Sequence, residues 1–242
     1  MANSYFQFKQ FTVQQENCAM KVTTDGCLFG SLCPTFDGSN EARKILDIGT
    51  GTGLLSLMFA QKRQSAIIDA VEIDKDAFQQ ATENVAASPW SDRIKVIHAD
   101  AKYFDPGNQY DIIISNPPFY EKELKSDDAK KNLAHHNKGL LLPELLSIIK
   151  RKLKPDGSFY LLLPYKRNEE IKKLFTENDL AVQQLTFVRQ SVNHDYFRIM
   201  LFGKLKTGKQ TETKIDEISI KDDNNQYTPA FATLLEDYYL HL

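Results

Sequence analysis

Apolar positions fall into short runs that alternate with longer, half-polar stretches, and these two periods divide the chain into strands and helices. Residues 44–48 form an apolar run that enters the turn Gly49-Thr50-Gly51-Thr52-Gly53, and 54–62 continue as a helix. Residues 66–73 read as a second buried strand, 75–87 as a helix, 94–97 as a third strand and 110–115 as a fourth. Strands alternating with helices predict parallel pairing through right-handed crossovers. Pro143 opens a helix over 143–152, where a first-turn proline is tolerated. Pro155-Asp156-Gly157 then turns the chain into a strand over 158–163, and 168–175 is helical. Two β-rich runs, 183–189 and 196–204, joined by polar residues around Asn193-His194-Asp195, predict an antiparallel ribbon at the sheet edge. Residues 206–214 read as a mobile polar loop and 229–240 as a C-terminal helix with an apolar face. No internal repeat or low-complexity tract interrupts the pattern. The expected class is α/β, a mostly parallel sheet with an antiparallel edge ribbon and helices on both faces.

Composition narrows this picture. A chain of 242 residues that is 42% hydrophobic can bury the core of one large domain, or of one domain with a small appendage. No apolar run approaches the ~20 residues of a membrane span, and residues 1–10 lack the apolar centre of a signal peptide. A cytoplasmic protein without membrane association is expected. Thirty Lys and Arg against 32 Asp and Glu leave a net charge of −2, so the chain has no global basic signature and any RNA contact must use local patches. Cys18, Cys27 and Cys33 lack the paired spacing of zinc sites and read as packing thiols. His135-His136 has no accompanying ligand cluster, so no metal is expected.

The strand over 110–115 ends in Ser115-Asn116-Pro117-Pro118-Phe119-Tyr120, at the sheet end where open α/β folds place their chemistry. An Asn before two prolines and an aromatic offers a fixed amide oxygen, a carbonyl on a rigid turn and a flat stacking face, a set suited to holding a planar amine. The glycines of Asp47-x-Gly49-x-Gly51-x-Gly53 stand at alternate positions, unlike the dinucleotide fingerprint, and admit positive φ and close approach of a ligand. Glu72, ending the second strand, is placed to accept both hydroxyls of a ribose, a role that NAD and S-adenosylmethionine (SAM) share. Asp100, just past the third strand, is a candidate for the exocyclic amine of a cofactor adenine. The neighbouring Ile73 and Ala101 are assigned with these acids to the cofactor side.

The combination, in this order, resembles class I SAM-dependent methyltransferases that modify amino groups, and implies their Rossmann-like fold with SAM as cofactor. Further segments extend the likeness: Phe8-Lys9-Gln10-Phe11, Cys18-Ala19-Met20-Lys21-Val22, Thr23-Thr24-Asp25-Gly26, Ser88-Pro89-Trp90-Ser91-Asp92-Arg93-Ile94, Gln226-Tyr227 and Tyr238-Tyr239-Leu240. Together with the Asn-Pro-Pro-Phe motif they resemble the bacterial tRNA1(Val) adenine-37 N6-methyltransferase family over nearly the whole chain. The family implies transfer of a methyl group from SAM to N6 of the adenine beside the anticodon of a valine tRNA. It also implies one domain over 1–242, with 1–40 lying across the cofactor pocket, 41–205 as the core and 206–242 as an extension. Lys21, Thr24 and Asp25 are then expected near the cofactor's methionine moiety or Asn116, and Asp47 at the methionine end.

In that chemistry Asn116 Oδ1 and the Pro117 carbonyl accept the hydrogens of the target amine, and Phe119, or Tyr120, stacks on the base. Pro118, Tyr120, Lys122 and Lys125 fall on the substrate side. Candidate RNA patches are Lys122, Lys125, Lys130, Lys131 and Lys138 after the motif, Lys150-Arg151-Lys152 with Lys154, and Lys204, Lys206 and Lys209. The post-motif loop also carries Glu121, Glu123, Asp127 and Asp128, so it reads equally as a solvated lid or a phosphate track. A ribosomal RNA guanine-N2 methyltransferase and a protein glutamine-N5 methyltransferase share the motif and stand as alternatives. The second carries a helical domain ahead of its core, whereas 46 residues precede Asp47 here. A monomer that meets the anticodon loop of a tRNA is the expected assembly.

Overall fold

The computed structural model describes residues 3–35, 43–118, 140–206, 208 and 212–242. Its centre is an eight-stranded sheet. In chain order the strands are β3 (Lys44–Ile48), β4 (Ile67–Glu72), β5 (Ile94–His98), β6 (Tyr110–Ser115), β7 (Leu153–Pro164), β8 (Leu180–Ser191), β9 (Tyr196–Leu205) and β10 (Lys214–Lys221). A separate hairpin precedes them, β1 (Tyr5–Gln7) against β2 (Thr12–Gln14). The helices are α1 (Thr24–Leu32), α2 (Leu54–Lys62), α3 (Lys75–Ala86), α4 (Leu142–Lys152), α5 (Asn168–Glu177) and α6 (Pro229–Leu235).

Across the sheet the order is β10-β8-β9-β7-β6-β3-β4-β5. The five strands β3 to β7 pair in parallel, as buried apolar strands joined by helical crossovers must. The expected antiparallel ribbon is present as β8 and β9, with β9 against β7. Its place differs from the expectation, because β10 pairs in parallel outside β8 and forms the edge. The sequence KIDEISIK hides that strand: its charges suit an edge that must resist further pairing, while Ile218 and Ile220 alternate into the core.

Two apolar clusters cover the two faces. One joins β1, β2, α1, α2 and α6 to the sheet and includes Phe8, Phe11, Phe29, Met58, Phe231, Tyr238 and Tyr239. The other packs α4 and α5 through Leu145, Leu146, Ile149, Ile171 and Phe175. The hairpin and α1 escape a pattern reading. Helix α1 is buried from Asp25 to Ser31 and so has no polar face, and Gly26 and Gly30 lower its helix propensity. Gly30 is required by packing, since a Cβ there would lie 2.6 Å from Met58 Sδ. The C-terminal helix stops at Leu235 rather than 240. Beyond it, Tyr238 and Tyr239 fold back onto the hairpin, with Lys9 N donating to Tyr238 O at 2.8 Å and Tyr238 Oη to Met58 O at 3.0 Å.

The turn expected at 155–157 lies within β7 as an irregularity. Tyr110 pairs with Leu153 and Ile112 with Ser158, so the intervening residues loop out of the ladder. Gly203 marks another close approach: a Cβ there would stand 2.3 Å from Phe159 Cζ and 2.9 Å from Ala181 O. Gly203→Ala is therefore expected to destabilise the fold by ~1–3 kcal/mol through overpacking. Urea unfolding checks this, and an unchanged midpoint would refute it.

The lysines grouped as RNA patches at 150–154 and 204 belong to the amino-end half of the sheet. Lys154 Nζ bonds Asp111 Oδ1 at 2.8 Å, beside the start of β6, and Lys152 Nζ bonds Asp105 Oδ1 at 2.5 Å. Lys150 pairs with Asp179 at 3.4 Å, and Lys204 lies opposite Ser158, early in the paired part of β7. No helix among the described residues is long and apolar enough to cross a membrane.

Candidate active site

The carboxyl ends of β3, β4, β5 and β6 gather the residues singled out by sequence. Gly49, Gly51 and Gly53 have φ of 71°, 58° and 82°, the left-handed region that favours glycine. Gly49 N and Thr50 N both donate to Val71 O, at 2.9 and 3.1 Å, which folds the turn against β4. A Cβ added at Gly49 or Gly51 would meet nothing within 4 Å, so these two line an open cradle. At Gly53 it would touch Ala81 at 3.7 Å, so that glycine serves helix packing instead.

Asp47 lies under the turn, fully buried. Thr50 Oγ1 and Ser56 Oγ donate to its Oδ2 at 2.6 and 2.7 Å, while Oδ1 is buried without a hydrogen-bond partner. Burial pushes its carboxyl up from 3.8 to about 6, against the lowering effect of the two hydroxyls. A folded-state pKa above the unfolded value contributes stability that is present below pH 3.8 and lost as pH rises through about 6. Asp47→Asn removes that titration. Relative to wild type the variant is expected to gain ~2 kcal/mol between pH 4 and pH 7.5, at 1.36 kcal/mol per pKa unit. Urea unfolding at the two pH values checks it; an equal pH dependence in both proteins would count against the buried carboxylate.

Glu72 is also buried, and its two oxygens accept from Gly51 N at 2.8 Å and Asp74 N at 2.9 Å. Each oxygen keeps a lone pair for a ligand hydroxyl. The adjacent Ile73 is 49% exposed, an apolar side chain standing at the mouth of the cradle, and its carbonyl meets His98 Nε2 at 3.1 Å. Asp100 accepts from Lys102 N at 2.9 Å, with Lys102 Nζ 3.7 Å away, and Ala101 beside it is half-buried. An open glycine cradle, a carboxylate with free lone pairs and an apolar flank fit the nucleoside part of a SAM molecule.

Asn116 follows directly on β6. Ser115 Oγ donates to Ile48 O at 2.7 Å, which ties the end of β6 to β3 and so fixes where the motif begins. Pro117 is buried and Pro118 half-buried. The N-terminal segment supplies a wall on one side of Asn116. Its Nδ2 lies 3.9 Å from Met20 Sδ, and a Cβ at Gly26 would come within 4.0 Å of the same nitrogen.

That wall is held by contacts no local motif announces. Thr23 Oγ1 caps α1 by accepting from Gly26 N at 3.2 Å, and Thr24 opens the helix. Asp25, buried in its first turn, accepts from Arg198 Nε of β9 at 2.7 Å. Gln15 closes the preceding loop, accepting from Val22 N at 2.7 Å. Lys21 Nζ donates to Gln15 O and Glu16 O, so this ammonium braces the loop and is not directed at Asn116. Asn84 of α3 pairs with both Gln14 N and Gln14 O and also donates to Thr52 O at 2.9 Å, joining β2 to the glycine turn.

Phe119, Tyr120, Lys122 and Lys125, with the lysines at 130, 131 and 138 and the histidine pair, lie outside the described residues. Burial pushes the Cys18 thiol up to about 11 and Cys27 up to about 12, and Cys33 is also raised, as fits inert packing thiols. Among the described residues no cluster of three or more His, Cys, Asp or Glu could hold a metal ion.

Comparison with known proteins places the chain in a family. Residues 30–188 match the methyltransferase small domain family. Three curated proteins named tRNA1(Val) (adenine(37)-N6)-methyltransferase align over essentially the whole length. They come from Dyadobacter fermentans (42% identity over 98% of both chains), Parabacteroides distasonis (38% over 100% of both) and Tolumonas auensis (40% over 100% of this chain and 99% of that one). Among solved structures, a predicted O-methyltransferase from Agrobacterium tumefaciens superposes with a TM-score of 0.67 at 17% identity, covering 88% of this chain and 96% of that one. A putative class I SAM-dependent methyltransferase from Listeria monocytogenes gives 0.61 at 15% identity, covering 85% and 67%. These two likenesses concern the fold.

Proposed function

This chain belongs to the tRNA1(Val) (adenine(37)-N6)-methyltransferase family, and we propose that Asn116 and the Pro117 carbonyl hold the target amine while Met20 and α1 fix the Asn116 amide. The enzyme is a SAM-dependent methyltransferase of the N6 amino group of adenine 37 in tRNA1(Val). The observation that carries the residue assignment is Asn116 at the carboxyl end of β6, two strands from Glu72 and beside the open glycine cradle.

When bound, SAM supplies an electrophilic methyl group on its sulfonium. Glu72 would hold the ribose through its hydroxyls and Asp100 the adenine through its amine, with Ile73 and Ala101 on the adenine side. Gly49 and Gly51 let the ligand lie against the backbone, and Asp47 keeps the turn in shape through Thr50 and Ser56. The N6 lone pair of the target adenine is delocalised into its ring. Asn116 Oδ1 and Pro117 O accept the two N6 hydrogens and so turn the lone pair toward the methyl group. In-line displacement needs the reacting atoms ~3–3.5 Å apart and aligned, which positioning alone supplies. No strong base is required, because the nitrogen becomes acidic only as it acquires the methyl. Phe119 or Tyr120 stacks on the extruded base, and Pro118, Lys122 and Lys125 lie on the substrate side. Asp25 acts through its pair with Arg198 by anchoring α1.

We read the target as presented by the anticodon loop, where extrusion is least costly, and the enzyme as a cytoplasmic monomer of one domain. Light scattering of the purified protein tests the monomer. The reaction is tested by incubation with SAM and tRNA lacking the modification, followed by digestion and mass spectrometry of the nucleosides. N6-methyladenosine above the level given by Asn116→Ala is expected. N2-methylguanosine would favour the ribosomal RNA alternative, and methylated glutamine in a protein substrate the other.

A further inference from the structure

We propose that the rim formed by the carboxyl ends of β8 and β10 and the start of β9 is the surface on which RNA flanking the target base docks, with Tyr196 and Arg189 as its stacking platform. This rests on the assignment of a tRNA substrate and deepens it by naming the face that meets the RNA.

Topology makes the choice among the charged groups. The target base must reach Asn116, at the carboxyl end of β6. Lys150, Lys152 and Lys154 are engaged by Asp179, Asp105 and Asp111, and Lys204 lies opposite Ser158 toward the other end of the sheet. At the Asn116 end, cations are interleaved with aromatic rings. Arg189 Cζ lies 5.7 Å from the centre of the Tyr196 ring and Lys221 Nζ 5.8 Å from that of Tyr227, while Arg198, beside Phe197, is engaged by Asp25. Register places them together: Arg189 is directly opposite Tyr196, Ser219 opposite Arg189, and Lys221 opposite Ser191.

The platform is preformed. Arg189 Nε donates to Ser219 Oγ at 2.7 Å and its Nη2 lies 3.8 Å from Glu217, which holds the guanidinium over Tyr196. Tyr196 also meets Tyr165 and Phe187 at 5.3 and 5.4 Å, and those two meet edge-on at 5.4 Å. These three rings and Arg189 are half-buried, whereas Phe159 and Phe175 are closed inside the core. Rings with an open face, joined to a fixed guanidinium, are the chemistry that recognises unstacked bases and the phosphates between them. From β6 to β10 there are four strand steps, ~19 Å at the usual spacing, room for several nucleotides beside the target. Stacking with a few local cations also accounts for RNA binding by a chain of net charge −2.

The test uses the full chain and an unmodified tRNA1(Val) transcript. Tyr196→Leu and Arg189→Gln are each expected to raise KM for the tRNA by about tenfold, toward the low end of what one base stack contributes, with kcat and SAM affinity unchanged. Lys221→Gln should lower the slope of log KM against log salt by about one. Lys150→Gln and Lys204→Gln, away from the rim, should leave both quantities at wild type. Melting temperature and SAM affinity separate a docking defect from unfolding, and if Tyr196→Leu does not fold, the Arg189 and Lys221 variants decide. Wild-type KM and salt slope in the rim variants would overturn the proposal while tRNA is still methylated, and would leave the rim to a protein partner. Equal defects in the Lys150 and Lys204 variants would overturn it as well. A wild-type protein that methylates no tRNA would instead remove the reading on which it rests.

Discussion

Asn116→Ala lowers turnover by ~10²–10³ at saturating SAM and tRNA, the loss that follows removal of one preorganised hydrogen-bond partner of a transition state, and leaves SAM affinity unchanged. The size follows from rigidity. The Ser115 hydroxyl ties the end of β6 to Ile48 of β3, and the Asn116 amide nitrogen rests against Met20 and Gly26, so Oδ1 does not have to be ordered when the amine arrives. Alanine removes that acceptor without touching the glycine turn or Glu72. Calorimetry with SAM and single-turnover kinetics separate the two effects. Equal losses in binding and rate would show that Asn116 serves the cofactor rather than the amine.

Glu72→Ala produces the opposite split, raising the SAM Kd by ~10² while turnover at saturating SAM stays within a few-fold of wild type. A hydrogen bond to a charged group contributes ~1.5–3 kcal/mol, and the carboxylate we propose as the ribose acceptor also anchors the Gly51 and Asp74 amides. Glu72→Gln keeps one acceptor and is expected to fall between. The measurement is again calorimetric. A turnover loss at saturating SAM as large as that of Asn116→Ala would contradict a purely cofactor role.

Local pattern was enough for the parallel core. The strands over 44–48 and 110–115 and the helix over 54–62 have the bounds read from periodicity, the strands and helices over 66–97 and the helix over 143–152 differ by one residue at one or both ends, and β7 begins five residues earlier than read, at Leu153. These segments are buried on both faces or along one stripe, so their apolar spacing records their environment. The elements missed are those whose sequence does not. Helix α1 carries two glycines and no polar face, β10 carries edge charges, and β1 and β2 are three residues each. The N-terminal wall of the site was named only through the family resemblance. Its anchors, Asp25 to Arg198 and Asn116 to Met20, join residues 173 and 96 positions apart.

Read alone, the chain's residues determined the order and type of most core elements, the glycine turn with its acid, and the Asn-Pro-Pro motif at the end of β6. Each depends on neighbours within a few residues: φ freedom at alternate glycines, a carboxylate at a strand end, prolines that hold an Asn in place. Tertiary structure alone decided that β10 closes the edge, that the Asp47 carboxyl is buried enough to rise to about 6, and that Lys21 braces its own loop. It also decided which cations stand at the carboxyl end of β6 and which at the other end of the sheet. Burial, register and the end of a strand at which a charge emerges are set by contacts between distant segments, and a one-dimensional pattern does not record them.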